Sequence, residues 1–480
     1  MARRHRLIHA LALAGTFLFP SLLAAADNTA TPAPAGDARA ANVALIAGDM
    51  AEHIGTIAYL WGYPMVDMHT QMHNETHRVR EKQDVLAPLG RFHRREYLVT
   101  PSTGGELRAP NNDTLYLSGW FDLAKEPVVI HVPDTANRYY TLAITDFFNE
   151  VTHLGRRTTG TDEGYFALIG PDWQGELPVG LRPVRLATPQ VWILGRLLVD
   201  GEADFPAALA LLRAFWSQPL SAWEPGKRPP ESADVPAAEA RDPRRSLDYF
   251  AVLNEWLRAN GKRVRADEGA LMALFDRVGF GPQSRFDPAA LDPATRAGLE
   301  RALARGSAMI AAASNIPQRD VRNGWIFPLG LADYGHDYLA RAAVVFGGYA
   351  NRPEESTYAA VAVDGEGRLL SGERRYRLHF TPAKVPPAGA FWSLAAYDLQ
   401  TRNLIENPIR RYSIGDRTPG LEKAPDGSFV VELSRERPTE DGVNWLPVGQ
   451  GPYLLIARIY EPGPAVFDGS YAPPALEVVE

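Results

Sequence analysis

The sequence predicts a mainly β protein in which two β-rich regions flank a helical region. Short runs rich in β-branched and aromatic residues recur from about residue 96 to 199 and again after about residue 338, each bounded by Pro, Gly, Asn or Asp. Such runs are typical of the strands of a β-sandwich. Residues 204–325 instead place apolar side chains three and four positions apart, as amphipathic helices do. The length of 480 residues allows two or three domains.

The first 26 residues have the pattern of a secretory signal peptide. Arg3, Arg4 and Arg6 form a basic start, residues 7–23 are largely apolar, and a run of alanines ends at Ala26. We expect cleavage near Ala26 and a periplasmic or secreted mature protein, exported by ordinary secretion or by the twin-arginine route. Because no other apolar run reaches about 18 residues, we expect no membrane span after processing.

The rest of the chain divides where the spacing of its apolar residues changes between strand-like and helical patterns. From Val43 onward, apolar residues at helical spacing predict a helix that Gly62 and Pro64 bend or restart. We predict strands at 127–132, 139–144, 165–169, 357–363, 375–380, 391–397 and 453–460, and helices at 205–216, 247–258 and 269–278. The predicted organisation is a signal peptide (1–26), a flexible leader (27–40), a helix with a β-sandwich (41–203), a helical insert (204–337) and a second β-sandwich (338–480).

Composition and motifs exclude several common functions. With 50 basic and 57 acidic side chains, the chain has no positive excess to attract a nucleic acid. It contains no cysteine, so disulfides, thiol nucleophiles, iron–sulfur clusters and cysteine zinc sites are all absent. It also lacks a G-x-S-x-G elbow, a Walker loop and an H-E-x-x-H helix.

Residues 65–77 combine methionines and histidines at helical spacing. On a helix, His69, His73 and His77 spread over about 80° of one face. Imidazole and thioether groups together suit copper, and imidazole alone suits copper or zinc, so these histidines form one candidate metal site. The alternative is that the methionines fill a core and the histidines form a solvated face.

Two polar segments could line a pocket. Asn111, Asn112 and Asp113 follow a proline and precede a strand, where Asx side chains commonly form turns. Further on, Arg138 precedes two tyrosines, and Asp146, Arg156 and Arg157 follow. An arginine here could clamp a carboxylate or phosphate. Alternatively, an arginine could pair with buried Asp146 and hold strands in register, and both interpretations stay open.

The sequence also resembles a known pair of domains. Similarity to the DUF1254 domain of exported bacterial proteins rests on Pro110-Asn111-x-Asp113-Thr114-Leu115-Tyr116, Arg138-Tyr139-Tyr140, Arg157-Thr158-Thr159-Gly160 and Gly195-Arg196. Similarity to its usual partner, DUF1214, rests on Phe391-Trp392-Ser393, Tyr397-Asp398, Arg411-Tyr412-Ser413-Ile414 and Asn444-Trp445-Leu446-Pro447. The resemblance implies an immunoglobulin-like β-sandwich, a helical middle segment and a jelly-roll-like β-sandwich, and it implies no reaction. Similar sequences often have a histidine at position 93, whereas residues 65–77 depart from the family pattern.

The first functional hypothesis is a small-molecule enzyme with a polar cleft between the two β-domains. It would catalyse water-dependent or metal-assisted hydrolysis. Its candidate groups are His93 as proton acceptor, Asp113 or Asp146 as acid–base carboxylate, Arg138 or Arg157 as anion clamp, Asn111, Asn112 and Asn444 as hydrogen-bond donors, and Trp392 and Trp445 as an apolar wall. The hypothesis requires His93, Asp113, Arg138 and Asn444 to converge on one pocket.

Two other hypotheses compete with the enzyme. One is a periplasmic ligand-binding or copper-handling protein, with copper or zinc at His69, His73 and His77. The other is that the tryptophans and the Asx and Arg segments only maintain the interface between the sandwiches. In the first two cases the expected partner is a small molecule or a metal ion.

Overall fold

The structure is a computed structural model that describes residues 35–104, 109–230, 234–314 and 320–479. The predicted signal peptide and its cleavage site near Ala26 lie outside these residues. The helices are α1 (Ala35–Thr76), α2 (Arg156–Thr159), α3 (Phe205–Ala214), α4 (Asp248–Asn260), α5 (Gly269–Arg277), α6 (Pro293–Ala313), α7 (Tyr338–Gly347) and α8 (Pro464–Phe467). Because α1 begins at Ala35, residues 35–40 of the predicted leader are helical, and α1 continues through Pro64.

The strands form four sheets. They are β1 (His93–Arg95), β2 (Thr114–Asp122), β3 (Val128–Val132), β4 (Tyr140–Asp146), β5 (Val151–Gly155), β6 (Gly164–Ile169), β7 (Leu181–Arg185), β8 (Gln190–Leu198), β9 (Trp216–Pro219), β10 (Val321–Arg322), β11 (Trp325–Ile326), β12 (Ser356–Val361), β13 (Arg375–Phe380), β14 (Ala388–Asp398), β15 (Ser413–Gly415), β16 (Phe429–Ser434), β17 (Val443–Pro447), β18 (Tyr453–Pro462) and β19 (Glu477–Val479). The predicted fold class, mainly β with a helical insert, is confirmed.

The first sandwich packs the sheet β1-β2-β8-β4-β5 against the sheet β7-β6-β3-β9. Strand alternation decides which side chains meet between them. Along β8, Val191, Ile193 and Leu197 point into the shared core, and Trp192 and Arg196 point to the opposite face. The sheets are antiparallel except for β6 and β7, which run parallel. The outer face of the larger sheet therefore remains available to other elements.

The second sandwich has the same plan. A sheet in the order β10-β11-β12-β18-β14-β15 packs against a sheet in the order β17-β16-β13-β19. The aromatic rings of Phe380, Trp392 and Phe429 stack in the core between them. Only one pair among its described strands, β16 and β17, runs parallel.

The helices form a third core with α1 at its centre. Trp61, Met65 and Met68 on α1 are buried with side chains of α4, α5, α6 and α7. These methionines are therefore core residues. This agrees with the alternative interpretation of residues 65–77, in which the methionines fill a core. Close approach of α6 to α1 requires Gly298, because a Cβ there would collide with the carbonyl oxygen of Gly48.

The borders of the helical region differ from the predicted insert of 204–337. Residues 205–219 form α3 and β9, which pack on the first sandwich. Residues 321–326 form β10 and β11, which extend the second sandwich. The helical unit instead recruits α1, which precedes the first sandwich in the chain. Within the described residues, no helix is long and apolar enough to cross a membrane.

Candidate functional site

A cavity of about 420 Å³ lies where all three cores meet. Its floor is the outer face of β1, β2 and β8, and its other walls come from the end of α1, the turn after α7, and strands β12 and β18. The lining residues on the floor and ends are Glu75, His93, Arg95, Asn111, Tyr116, Ser118, Trp192, Leu194, Arg196, Tyr349, Tyr358 and Arg458. Cavities of this size hold small organic ligands.

Sheet register explains how the floor is built. Arg95 on β1 lies opposite Tyr116 on β2, and Tyr116 lies opposite Arg196 on β8. These three residues form one row across three strands, on the face turned away from the core of the first sandwich. The guanidinium carbons of Arg95 and Arg196 lie 6.0 and 5.5 Å from the centre of the Tyr116 ring. The row therefore places two cations around one aromatic ring.

Two further rows continue the floor toward the helices. His93, Ser118 and Leu194 form the second row, and Trp120 and Trp192 form the third. Successive rows are two residues apart along the strands, or about 7 Å. Trp192 donates its Nε1 hydrogen to Ser118 Oγ at 2.9 Å and stacks on Trp120 with ring centres 5.8 Å apart. These contacts hold the Trp192 ring in one orientation.

The end of the cavity beside the first row is cationic. Arg458 on β18 joins Arg95 and Arg196 there. Arg196 Nη1 donates to Asn351 Oδ1 at 2.9 Å, and Arg458 Nη2 donates to the carbonyl of Ala109 at 2.8 Å. Within the part of the chain that the structure describes, none of the three forms an ion pair with a carboxylate.

Guanidinium groups that are buried and have no carboxylate in an ion pair with them are unusual. Arg95 and Arg458 are buried, and the Nε atoms of Arg95 and Arg196 are buried without a described hydrogen-bond partner. Isolated buried charge is costly unless a counter-charge accompanies it. Three converging guanidinium groups have the chemistry that suits an anion, because guanidinium binds carboxylates through paired hydrogen bonds.

The opposite end of the cavity is acidic and aromatic. Glu75, in the last turn of α1, is half-buried, and its Oε2 accepts a hydrogen bond from Trp120 Nε1 at 2.7 Å. Burial raises the pKa of Glu75 to about 7, although the hydrogen bond from Trp120 opposes this shift. Glu75 is the only acidic residue among the described residues that line the cavity.

Tyr349 completes this acidic end from the turn after α7. Gly348 ends the helix with φ of 113°, and Tyr349 follows with φ of 66°, a conformation uncommon outside glycine. The Tyr349 hydroxyl donates to Asp67 Oδ2 at 2.7 Å, and Arg244 Nη1 donates to Asp67 Oδ1 at 2.6 Å. The left-handed backbone is thus held in place by a buried polar anchor.

His93 and Asn111 are the predicted site residues that line this cavity. Burial, followed by the nearby charge of Arg95, lowers the pKa of His93, so this imidazole is neutral at pH 7. Asn111 Nδ2 donates to the Tyr460 hydroxyl, and its Oδ1 accepts from the Asp113 backbone at 2.5 Å. Asn111 therefore fastens the cavity wall to β18.

The predicted catalytic carboxylates lie elsewhere. Asp113 accepts from Ser393 Oγ at 2.6 Å and from Arg417 Nη2 at 2.9 Å, so it joins the two sandwiches. Asn112 lines a separate, more open cavity beside Arg417. Asp146 is buried at the end of β4, where it accepts hydrogen bonds from two backbone amides of the hairpin turn. Its burial raises its pKa to about 7, yet it does not line the cavity.

The predicted anion clamps are already paired. Arg138 forms a two-pronged ion pair with Asp204. Arg157 Nε donates to Glu355 Oε2 at 2.9 Å, and Tyr139 donates to the other oxygen of this fully buried carboxylate at 3.0 Å. Both arginines are therefore held in ion pairs outside the cavity, and the alternative interpretation, an arginine paired with Asp146, is wrong for these two residues.

The C-terminal candidates also serve structure. Trp392 stacks inside the second sandwich. Asn444 joins β17 to neighbouring backbone groups of Glu422 and Val430, and Trp445 donates its Nε1 hydrogen to the carbonyl of Ser434 at 3.0 Å. None of these three lines the cavity, so the predicted convergence of His93, Asp113, Arg138 and Asn444 is wrong.

Two of the three histidines of the candidate metal site are brought together: the rings of His73 and His77 stack with their centres 4.5 Å apart. One ring nitrogen of each, however, is bound to a backbone carbonyl. His73 Nε2 is hydrogen-bonded to the carbonyl of Glu239 at 2.9 Å, and His77 Nδ1 to the carbonyl of His73 at 3.0 Å. His69 is mostly buried, and burial lowers its pKa. Among the described residues, no group of three or more His, Asp or Glu side chains is placed to hold a metal ion.

Comparison with known proteins identifies the two β-sandwich regions. Residues 89–219 match the family described as "Protein of unknown function (DUF1254)", and residues 355–464 match "Protein of unknown function (DUF1214)". The chain carries a DUF1254 domain and a DUF1214 domain. No curated protein matches the sequence.

Two solved structures are similar over most of the chain. The VPA0106 protein from Vibrio parahaemolyticus is 24% identical, with a TM-score of 0.67 over 90% of this chain and 100% of its own. A putative uncharacterized protein from Burkholderia cenocepacia is 12% identical, with a TM-score of 0.42 over 92% of this chain and 96% of its own. The Vibrio protein shares the fold over 90% of this chain.

Sequence reasoning missed the residues that define the cavity. Arg196 of the DUF1254 domain and Arg458 of the DUF1214 domain each interrupt a long apolar strand. A charged residue within such a strand is a sign of a buried polar site. Glu75 has no distinguishing signal in the sequence, because it lies among the histidines of residues 65–77. Tyr349 had no local signal, because its role depends on the turn after α7.

Proposed function

We propose that the cavity between the domains binds a small organic anion. The observation that carries this proposal is the convergence of Arg95, Arg196 and Arg458 without a described carboxylate partner. A carboxylate on the ligand would supply the missing counter-charge through charge-assisted hydrogen bonds. Apolar and aromatic walls would accept the body of the ligand, as in most small-molecule sites.

The geometry favours binding over the hydrolytic enzyme of the first hypothesis. The candidate carboxylates and clamps of that hypothesis are committed to interdomain and turn contacts. The proposal therefore follows the second hypothesis in its ligand-binding form, without copper. Contacts of Asp113 with Ser393 and of Arg157 with Glu355 fit the third hypothesis, because they tie the two domains together around the cavity.

Calorimetric titration with small carboxylates tests the proposal. Hexanoate and phenylacetate should bind, and the matched amides, hexanamide and phenylacetamide, should bind at least about 10-fold more weakly because they lack the charge. Trp192 lines the cavity, so the same titrations should change tryptophan fluorescence.

Arginine variants test where the anion binds. Arg196→Met and Arg458→Met should each weaken hexanoate binding about 10- to 150-fold, which corresponds to one charged hydrogen bond. Arg285→Met, which changes an exposed arginine outside the cavity, is the matched control and should leave binding unchanged. Equal affinity for carboxylates and amides, or undiminished binding by both cavity variants, would contradict the proposal.

We also propose that this site works outside the cytoplasm. The support is the composition of residues 1–26, with a basic start, an apolar stretch and alanines before Asp27. Detection of the full-length chain in the cytoplasm alone would overturn this assignment.

A further inference from the structure

We infer that the cavity takes a two-ended ligand, with an anionic group at the arginine end and an ammonium group between Glu75, Trp192 and Tyr349. The ligand class is a zwitterion whose two charges are separated by a chain, such as an ω-amino carboxylate. This inference rests on the proposed anion site and adds the chemistry of the other end.

The first support is the separation of the two ends along the floor. The two ends of the floor are four residues apart along the strands, or roughly 13 Å. One end is the row with Arg95 and Arg196, and the other is the row with Trp120 and Trp192. Because the arginine side chains and Glu75 reach inward from the two ends, a ligand that contacts both holds its charged groups several ångströms apart. An extended ω-amino acid of about six carbons meets this requirement, whereas an α-amino acid does not.

The second support is the chemistry of the far end. Trp120 Nε1 occupies one oxygen of Glu75, and no donor from the described residues reaches the other oxygen, Oε1. The rings of Trp192 and Tyr349 lie side by side, with centres 5.1 Å apart, and both line the cavity with Glu75. Aromatic faces combined with a carboxylate bind ammonium groups through cation–π and ionic attraction.

The third support is the middle of the cavity. The row between the two ends presents His93, Ser118 and Leu194, and Ser118 Oγ already accepts from Trp192. Val99 and Ile456 face the same space from the other side. This stretch suits an aliphatic chain and offers no second cation or carboxylate to a ligand.

The groups around Glu75 determine its response to an ammonium. Asp67 on the same helix raises the pKa of Glu75, and Arg95 on β1 lowers it. Trp120 on β2 donates a hydrogen bond to Glu75, and the Tyr349 phenol responds to its charge. With its pKa near 7, Glu75 is largely protonated at pH 6. Binding of an ammonium at this point should therefore release a proton from Glu75 at that pH.

Calorimetry at pH 6 tests the inference with 6-aminohexanoate, hexanoate and glycine. In the wild-type protein, 6-aminohexanoate should bind at least 10-fold more tightly than hexanoate, and glycine should bind more weakly than both. Titrations in two buffers of different ionisation enthalpy should show proton release with 6-aminohexanoate and none with hexanoate.

The variant Glu75→Gln should remove both the preference for 6-aminohexanoate and the proton release, while hexanoate still binds. Glu300→Gln, at an exposed glutamate outside the cavity, is the matched control and should retain both. If hexanoate binds through the arginines but the amino group adds no affinity in the wild type, the inference is wrong and the anion site stands. If neither compound binds, both proposals are wrong. The wild-type comparison of ligands decides the matter even if Glu75→Gln folds poorly.

Discussion

Replacement of Glu75 by Gln should make the protein more stable at alkaline pH. Burial raises the pKa of Glu75 from its ordinary value of 4.5 to about 7. Between these values the folded protein holds a proton that the unfolded chain releases, so the contribution of Glu75 to stability is lost as pH rises from 4.5 to 7. That difference in pKa corresponds to about 3 kcal/mol. Glutamine keeps the acceptor for Trp120 and does not ionise.

Urea denaturation followed by tryptophan fluorescence measures this effect, since Trp120 and Trp192 lie beside Glu75. At pH 8, Glu75→Gln should unfold with a free energy up to about 3 kcal/mol greater than the wild type, and at pH 4.5 the two should agree within about 0.5 kcal/mol. Glu300→Gln should agree with the wild type within about 0.5 kcal/mol at both pH values. A gain of equal size at both pH values, or none at pH 8, would refute a raised pKa of Glu75 in the folded protein.

Four further predictions concern other parts of the molecule. Arg157→Met should lower the free energy of unfolding by about 3 kcal/mol, because Glu355 is then buried without a counter-charge, and a loss below about 1 kcal/mol in urea would contradict this. Burial lowers the pKa of His153 to about 3, so between pH 6.5 and 5 the unfolded chain takes up a proton that the folded protein does not. The free energy of unfolding of the wild type should therefore fall by about 2 kcal/mol over this range relative to His153→Gln, measured by urea denaturation at both pH values. Trp392→Ala should cost about 3 to 5 kcal/mol in thermal or urea unfolding, as expected of a core residue. Mass spectrometry of exported protein should find Asp27 at the N-terminus, and an intact chain in that fraction would contradict cleavage.

The seven predicted strands were recognisable because turn residues bounded them, whereas others, such as β8 and β16, were not predicted. The predicted run 375–380 coincides with β13, and 165–169 lies within β6. Domain borders were harder, because they depend on contacts between distant segments. α3 has ordinary helical periodicity, yet it packs on the first sandwich through Ala208 and Leu212. Periodicity shows that a helix has an apolar face and does not show which core that face joins.

The site was harder to predict than the fold because it, too, depends on contacts between distant segments of the chain. The motifs around Asn111, Asp113 and Arg157 stand out in the sequence, and each is used to bind the two domains to each other. In the sequence, an arginine that pairs with a carboxylate cannot be told from an arginine that is free to bind a ligand. Only the absence of an ion pair to Arg196 and Arg458 among the described residues distinguishes them, and that depends on the packed structure.

The division of the cavity between domains explains why both sandwiches are needed for one site. Arg95 and Arg196 lie within the residues matched to DUF1254, and Arg458 lies within those matched to DUF1214. The cationic end is thus complete only when the two domains are joined. Glu75 and Tyr349 come from α1 and the turn after α7, outside both matched regions. The anion site that we propose would therefore need both domains. The helical unit supplies the acidic end, which in our inference distinguishes anions by the group at their other end.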